Sequence, residues 1–265
     1  MTISDGLSPA YILHTRKYRD TSLIVELLVR DEGRVSAVAR GARGKRGRQQ
    51  ATWQPFTPLL ISCFGRGELR TVKHAEFLPT GFPLTGDSLL LGIYANELLV
   101  RVLGKYEAVP GLFGQYQTLL TDLAGDGTPS VTPADTAIPE PRLRRYQDGL
   151  RRFELGLLDE LGFGISFTVD AERGAAVQPD RYYEFVADEG FYPVARLGQD
   201  DTNSFPGEHL LAIAAGDFSS LAIDQSAKHI TRLAFARLLG GKPLKSRELF
   251  QRDGYGGVLP QPGPT

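Results

Sequence analysis

The densest chemistry in this chain lies in nine consecutive residues, Arg40-Gly41-Ala42-Arg43-Gly44-Lys45-Arg46-Gly47-Arg48. Five are basic, three are glycine and none is acidic. Cationic side chains at that density bind phosphate oxygens, with a free energy drawn largely from counterion release. The glycines let the backbone approach a partner closely. Arg34 and Arg40 share one face of the strand leading into the run, and Arg66, Arg70 and Lys73 on later strands extend the same positive surface. The phosphate-contact set is therefore Arg34, Arg40, Arg43, Lys45, Arg46, Arg48, Arg66, Arg70 and Lys73. A solvated loop with no ligand is the competing reading, and it leaves the strand arginines unexplained. Trp53, Phe56 and Phe64 are candidate stacking platforms for unpaired bases, although a place in the core is the favoured reading for each.

Enzymatic constellations are thin. A P-loop needs glycine five positions before its Gly-Lys pair and Ser or Thr after it; around Gly44-Lys45 those positions hold Ala39 and Arg46. His14, His74, His209 and His229 show no metal-ligand spacing. No Gly-x-Ser-x-Gly elbow occurs. Asp159-Glu160 ends an amphipathic helix and reads as a solvated face. No catalytic residue is assigned. Cys63, the single cysteine, excludes a disulfide and cannot build a thiolate metal cage.

The elements that position the basic residues are short strands. They are expected over 11–15, 22–30, 33–40, 57–64 and 68–78. Residues 33–40 alternate, with Val35, Ala37 and Ala39 on one face and Arg34, Ser36, Val38 and Arg40 on the other. Asp31-Glu32-Gly33 is the turn of a hairpin between the second and third strands. Five strands in so short a stretch predict a small barrel, because closure removes exposed edges. An OB-type barrel leads, and pattern alone leaves an SH3-like barrel open. After Pro79 the period changes. Leu91, Tyr94, Leu98 and Val102 mark one helix, Leu112 to Leu123 a second, and Leu143, Tyr146, Leu150, Phe153, Leu157 and Leu161 a third. Residues 125–141 are a Gly/Pro/Ser/Thr-rich linker. Residues 165–205 lose the helical period, and helices return near 208–215, 224–239 and 243–250. The expected division is a barrel domain over 1–80 and a helical domain over 81–265.

Charge follows the same division. The whole chain has net charge −1, but residues 1–80 carry 13 basic and 7 acidic side chains, net +6, and the rest carry 17 and 24, net −7. An overall charge near zero therefore does not argue against nucleic acid. No apolar run reaches the roughly 20 residues that span a bilayer, and the first residues lack a signal-peptide pattern. A soluble, cytoplasmic, nucleoid-associated protein is expected.

Several blocks together resemble the RecO family of bacterial recombination mediators. They are Tyr11-Ile12-Leu13-His14-Thr15-Arg16 with Tyr18, Gly33 through Arg43, Gln54-Pro55-Phe56, Tyr94-Ala95-Asn96-Glu97-Leu98-Leu99, Arg152-Phe153-Glu154-Leu155, Leu157-Leu158-Asp159-Glu160-Leu161-Gly162 and Lys242-Pro243-Leu244-Lys245-Ser246-Arg247-Glu248-Leu249. No single block is decisive; their order along nearly the whole chain is. The resemblance implies an α+β protein with an N-terminal OB fold and a C-terminal helical domain. It implies binding of single- and double-stranded DNA, annealing of complementary strands, partnership with RecR, binding to the acidic tail of single-strand binding protein, and indirect help in loading RecA. Arg232, Arg237, Lys242 and Lys245, beside leucines, are the candidates for that acidic tail.

One departure concerns metal. Many family members carry two Cys-x-x-Cys pairs after the long helix; the matching positions here are Asp170 and Arg173, with Gly174 following, and Val194 and Leu197. Those side chains cannot form a tetrahedral zinc site. The expectation is a metal-free, zinc-ribbon-like insertion over 165–205, with Asp170 free to pair with Arg173 and a small core of Tyr182, Tyr183, Phe185, Phe191 and Tyr192. No cofactor is expected. Two rival readings stay open: an OB-fold protein with metal-dependent nuclease activity, and a translation factor using the barrel on RNA.

Overall fold

A computed structural model describes residues 6–44, 53–79, 81–125, 140–194, 202–246 and 248–249. Compactness divides the chain into two units, Met1–Gly127 with Leu244–Ser246, and Thr128–Pro243 with Arg247–Thr265.

Unit 1 is built on β1 (Ser8–Tyr18), β2 (Ser22–Val29), β3 (Gly33–Ala39), β4 (Pro58–Phe64) and β5 (Arg70–Phe77). They close into a barrel in the order β1-β2-β3-β5-β4, which is OB order. All ladders are antiparallel except the short parallel one between β3 and β5. Val35, Ala37 and Ala39 face the core with Leu23, Val25, Leu27 and Val29 of β2, as the alternation of β3 requires. Trp53 and Phe56 are buried, Trp53 against the edge of Phe77 at 4.9 Å. The β2–β3 turn depends on Gly33: its φ is +70°, and a Cβ there would lie 1.7 Å from the Glu107 carbonyl oxygen. Burial pushes the Cys63 thiol up to about 11, so it is a core group rather than a reactive one.

Two helices belong to the same unit, α1 (Gly86–Val102) and α2 (Leu112–Ala124). They cover one end of the barrel's outer surface. Tyr11 of β1 packs against Phe113 and Tyr116 of α2. Asn96 of α1 donates to the Leu13 carbonyl at 2.8 Å and accepts from the Tyr116 hydroxyl at 2.6 Å. Burial of Tyr116 raises its hydroxyl well above the ordinary tyrosine range, so it serves as a neutral donor. Glu97, next in sequence, accepts the backbone N–H groups of Lys245 and Ser246 at 2.8 and 2.7 Å. Two family blocks distant in sequence thus meet in one contact. Leu244 is buried there, and Ser246 begins a helical turn where the short last helix is expected.

Unit 2 contains α3 (Glu140–Glu160), β6 (Tyr182–Val186), β7 (Gly190–Val194), β8 (Ser204–Pro206), α4 (Gly207–Ala214) and α5 (Leu221–Leu238). The strands form one antiparallel sheet in the order β7-β6-β8. Phe153 of α3 is buried, and a buried polar network links α3 to α5. Arg151, wholly enclosed, holds Asp224 at 3.0 Å through Nε and Glu154 through its terminal nitrogen. The Thr231 hydroxyl donates to Glu154 at 3.0 Å. This explains the Glu154 of the Arg-Phe-Glu-Leu block: it neutralises a buried arginine rather than facing solvent.

The insertion differs from expectation in two details. Tyr183, Phe185 and Phe191 are buried as expected, but Tyr182 is exposed and Tyr192 half-buried; Phe167 and Phe205 complete the aromatic core. Asp170 does not pair with the Arg173 guanidinium. Its carboxylate accepts the Arg173 backbone N–H at 2.7 Å, while that guanidinium lies 3.7 Å from Glu172. The carboxylate thus caps a tight turn in which Gly174, at φ +66°, donates back to the Asp170 carbonyl.

Candidate nucleic-acid interface

The outer surface of the barrel has one end covered by helices and another that carries exposed bases. Cross-strand partners share a face, so the register identifies the outer row: Arg16 opposite Ile24, Ile24 opposite Val38, Val38 opposite Thr71, and Thr71 opposite Phe64. Toward the other end of β3, Ser36 pairs with Glu26 and Arg34 with Leu28, beneath the helices.

Arg34 belongs to the covered end. Its guanidinium donates to the Val100 carbonyl and, at 3.1 Å, to the Leu103 carbonyl, and lies 3.4 Å from the Glu26 carboxylate. The last carbonyls of a helix have no partner within it, and Arg34 satisfies two at the end of α1 while its charge complements the negative end of the helix dipole. Glu26 also accepts from the Ser36 hydroxyl at 2.8 Å. Arg70 is likewise spent: it pairs with Glu32 and lies 4.2 Å from the centre of the Tyr106 ring. These two arginines, expected on the phosphate surface, have their guanidinium groups held by acceptors within the unit.

The other expected residues fall differently. Arg40, Arg66 and Lys73 are exposed, Lys73 in the bulge where β5 shifts register against β4. Arg43 is half-buried, its backbone N–H on the Thr21 carbonyl at 2.8 Å and its guanidinium reaching the Arg19 carbonyl at 3.3 Å. Lys45, Arg46 and Arg48 lie outside the described residues.

Those Arg43 contacts tie the end of β3 to the β1–β2 turn. The register says the same, because Lys17 pairs with Leu23 and Leu23 pairs with Ala39. Arg16 and Lys17 therefore lie at the same end as Arg40, two strands across, with Arg19 in the turn that Arg43 contacts, and all three are exposed. Arg19 lies over the Tyr18 ring at 5.1 Å. Five bases gather at this end of the barrel, with Asp20 the one acidic residue in the turn. Arg16, Lys17 and Arg19 are absent from the set read from sequence. Their signal is present, since three bases surround Tyr18 immediately before a turn; what joins them to the Arg40 run is strand register. The turn after β1 and the loop after β4 rim this end, as in OB folds that bind oligonucleotides.

The four candidate partner residues are divided between the two units. Arg237 pairs with Asp188, Lys242 is exposed, and both lie in unit 2 with Arg232, whereas Lys245 lies in unit 1. The residues at the positions where the resemblance implies zinc-binding cysteines do not fit a zinc ion. Asp170 is committed to its turn, Arg173 and Val194 offer no metal-binding atom, and Leu197 lies outside the described residues. Among the described residues no group of three or more His, Cys, Asp or Glu side chains could hold a metal, and no helix is long and apolar enough to cross a membrane.

A five-stranded barrel of OB order, with one end covered by helices and exposed bases at the other, makes unit 1 an OB-type module. Residues 4–80 match the family model described as Recombination protein O N terminal. The chain is 42% identical over 250 residues to the DNA repair protein RecO of Vibrio cholerae serotype O1, covering 94% of this chain and 95% of that protein. It is 40% identical over 248 residues to the proteins of that name from Aliivibrio fischeri and Salmonella paratyphi B, covering 94% of this chain and 96% and 95% of theirs. The chain belongs to the RecO family.

Proposed function

We propose that this protein is a non-enzymatic recombination mediator in DNA repair. On this reading it binds single- and double-stranded DNA at the basic end of the barrel and anneals complementary strands. With RecR it assists RecA loading on single strands coated by single-strand binding protein, whose acidic tail meets a basic segment among Arg232, Arg237, Lys242 and Lys245. The supporting observation is that Arg16, Lys17, Arg19, Arg40 and Arg43 all lie at one end of an OB barrel. Two nucleic-acid strands repel each other, and a cationic surface lowers that repulsion while raising local strand concentration. Such contacts go to phosphate and read no sequence.

The test is annealing of two complementary oligonucleotides without ATP over a salt series. Acceleration at low salt that fades as salt rises is expected. No acceleration at any salt contradicts the proposal, and magnesium-dependent shortening of the strands would favour the nuclease reading. Competition between single-stranded DNA and RNA separates the translation-factor reading.

A further inference from the structure

Phe64 stands apart from the other rings of the barrel. Trp53 and Phe56 are buried, whereas Phe64 is 53% exposed. Register explains this: Cys63 and Val72 form the core-facing pair, so Phe64 and its partner Thr71 face outward. The ring therefore shares the outer row of Val38 and Arg16. Arg40, two residues past Val38, is two strands away, a lateral step of about 10 Å. Arg66 and Lys73, both exposed, flank the ring in sequence and across the ladder. The backbone keeps the neighbouring positions bare. Gly65 and Gly67 have φ of +115° and +114°, a region that residues with a Cβ rarely adopt, so bulky side chains are kept from both positions.

We propose that Phe64 is a base-stacking platform that gives the basic end of the barrel its preference for unpaired nucleotides. The proposal rests on the DNA-binding reading above and adds to it a residue and a selectivity. The surrounding cations attract the phosphates of single strands and duplexes alike. A ring adds affinity only for a base whose face is free, because in a duplex each base already lies between neighbours. Stacking is tolerant of sequence, since every base has a π face.

The experiment compares the full chain with Phe64→Ala, Phe64→Leu and Phe64→Trp. It measures fluorescence anisotropy of labelled oligo-dT and of a duplex of equal length. Wild type should favour oligo-dT. Phe64→Ala should lose about 5- to 150-fold in affinity for oligo-dT, the range for one stacked base, with duplex affinity unchanged. Phe64→Leu should not restore it; Phe64→Trp should. The indole of Phe64→Trp should also be quenched by oligo-dT, while the single native tryptophan, Trp53, is buried and should not respond. Circular dichroism and thermal melts confirm folding, and the quenching readout stands even if the alanine variant folds poorly. Equal losses for both DNAs, or none, with salt-dependent binding intact, overturn the stacking role and leave the DNA-binding reading in place. Full affinity in Phe64→Leu overturns it in favour of an apolar contact. Absence of DNA binding by wild type overturns both.

Discussion

Replacing Arg16, Lys17 and Arg19 together with alanine tests the interface most directly. If they and Arg40 and Arg43 each neutralise a phosphate, five contacts at about 0.7 apiece give a slope of log Kobs against log salt of roughly −3.5 for a single strand. Affinity then falls about 100-fold between about 50 and about 200 mM salt. The triple variant keeps two contacts, so its slope should shrink to about −1.4 and the same interval should cost about 7-fold. Fluorescence anisotropy with oligo-dT at several salt concentrations measures both. Arg34→Ala is the contrasting control. Its guanidinium holds the Val100 and Leu103 carbonyls, so its loss should cost about 2 kcal/mol of stability and leave the slope unchanged. An unchanged slope in the triple variant, or a reduced slope in Arg34→Ala, would refute the division of the barrel into a covered and a basic end.

Three further outcomes are expected. Arg151→Ala strands the Glu154 and Asp224 carboxylates in the interior and should destabilise unit 2 by about 3–5 kcal/mol in urea unfolding; a loss below about 1 kcal/mol would contradict the network. Burial first, then the Arg151 charge, lowers Lys228 to about 8, against 10.5 for an ordinary lysine. Below about pH 8 both folded and unfolded states hold that proton; between about 8 and 10.5 the unfolded state binds more, so stability rises with pH. Wild type should therefore gain on Lys228→Met between about pH 8 and about 10 in thermal unfolding, and parallel curves would contradict this. Metal analysis of the purified protein should find no stoichiometric zinc, and a chelator should leave the melting temperature unchanged; one zinc per chain would contradict a metal-free protein.

Much of the fold was legible because the signals were periodic. Alternation in β3 identified its core face, the turn at Gly33 joined it to β2, and spacings of three and four placed α1, α2 and α3. The end of β1 was harder. A register shift between Ile12 and His14 breaks its alternation, and the exposed residues beyond it have no apolar face to announce a strand. The interface was half legible. Arg34 and Arg40 are the same residue type on the same strand face, and nothing local tells them apart. What separates them is the end of α1, more than sixty residues away, which claims one guanidinium and not the other. Phe64 shows the same limit from the apolar side: its residue type suggests core, and only the pairing of Cys63 with Val72 turns it outward.

The return of Leu244–Ser246 to unit 1 has a consequence for biosynthesis. Glu97 emerges from the ribosome with the first part of the chain, but the backbone N–H groups that it accepts emerge more than a hundred residues later. At bacterial elongation rates that delay is on the order of ten seconds. During it the Glu97 carboxylate waits without these donors, so native packing of unit 1 depends on synthesis reaching Ser246. A chain ending at Pro243 should lack this contact, and melt at a lower temperature, although every strand of the barrel is present.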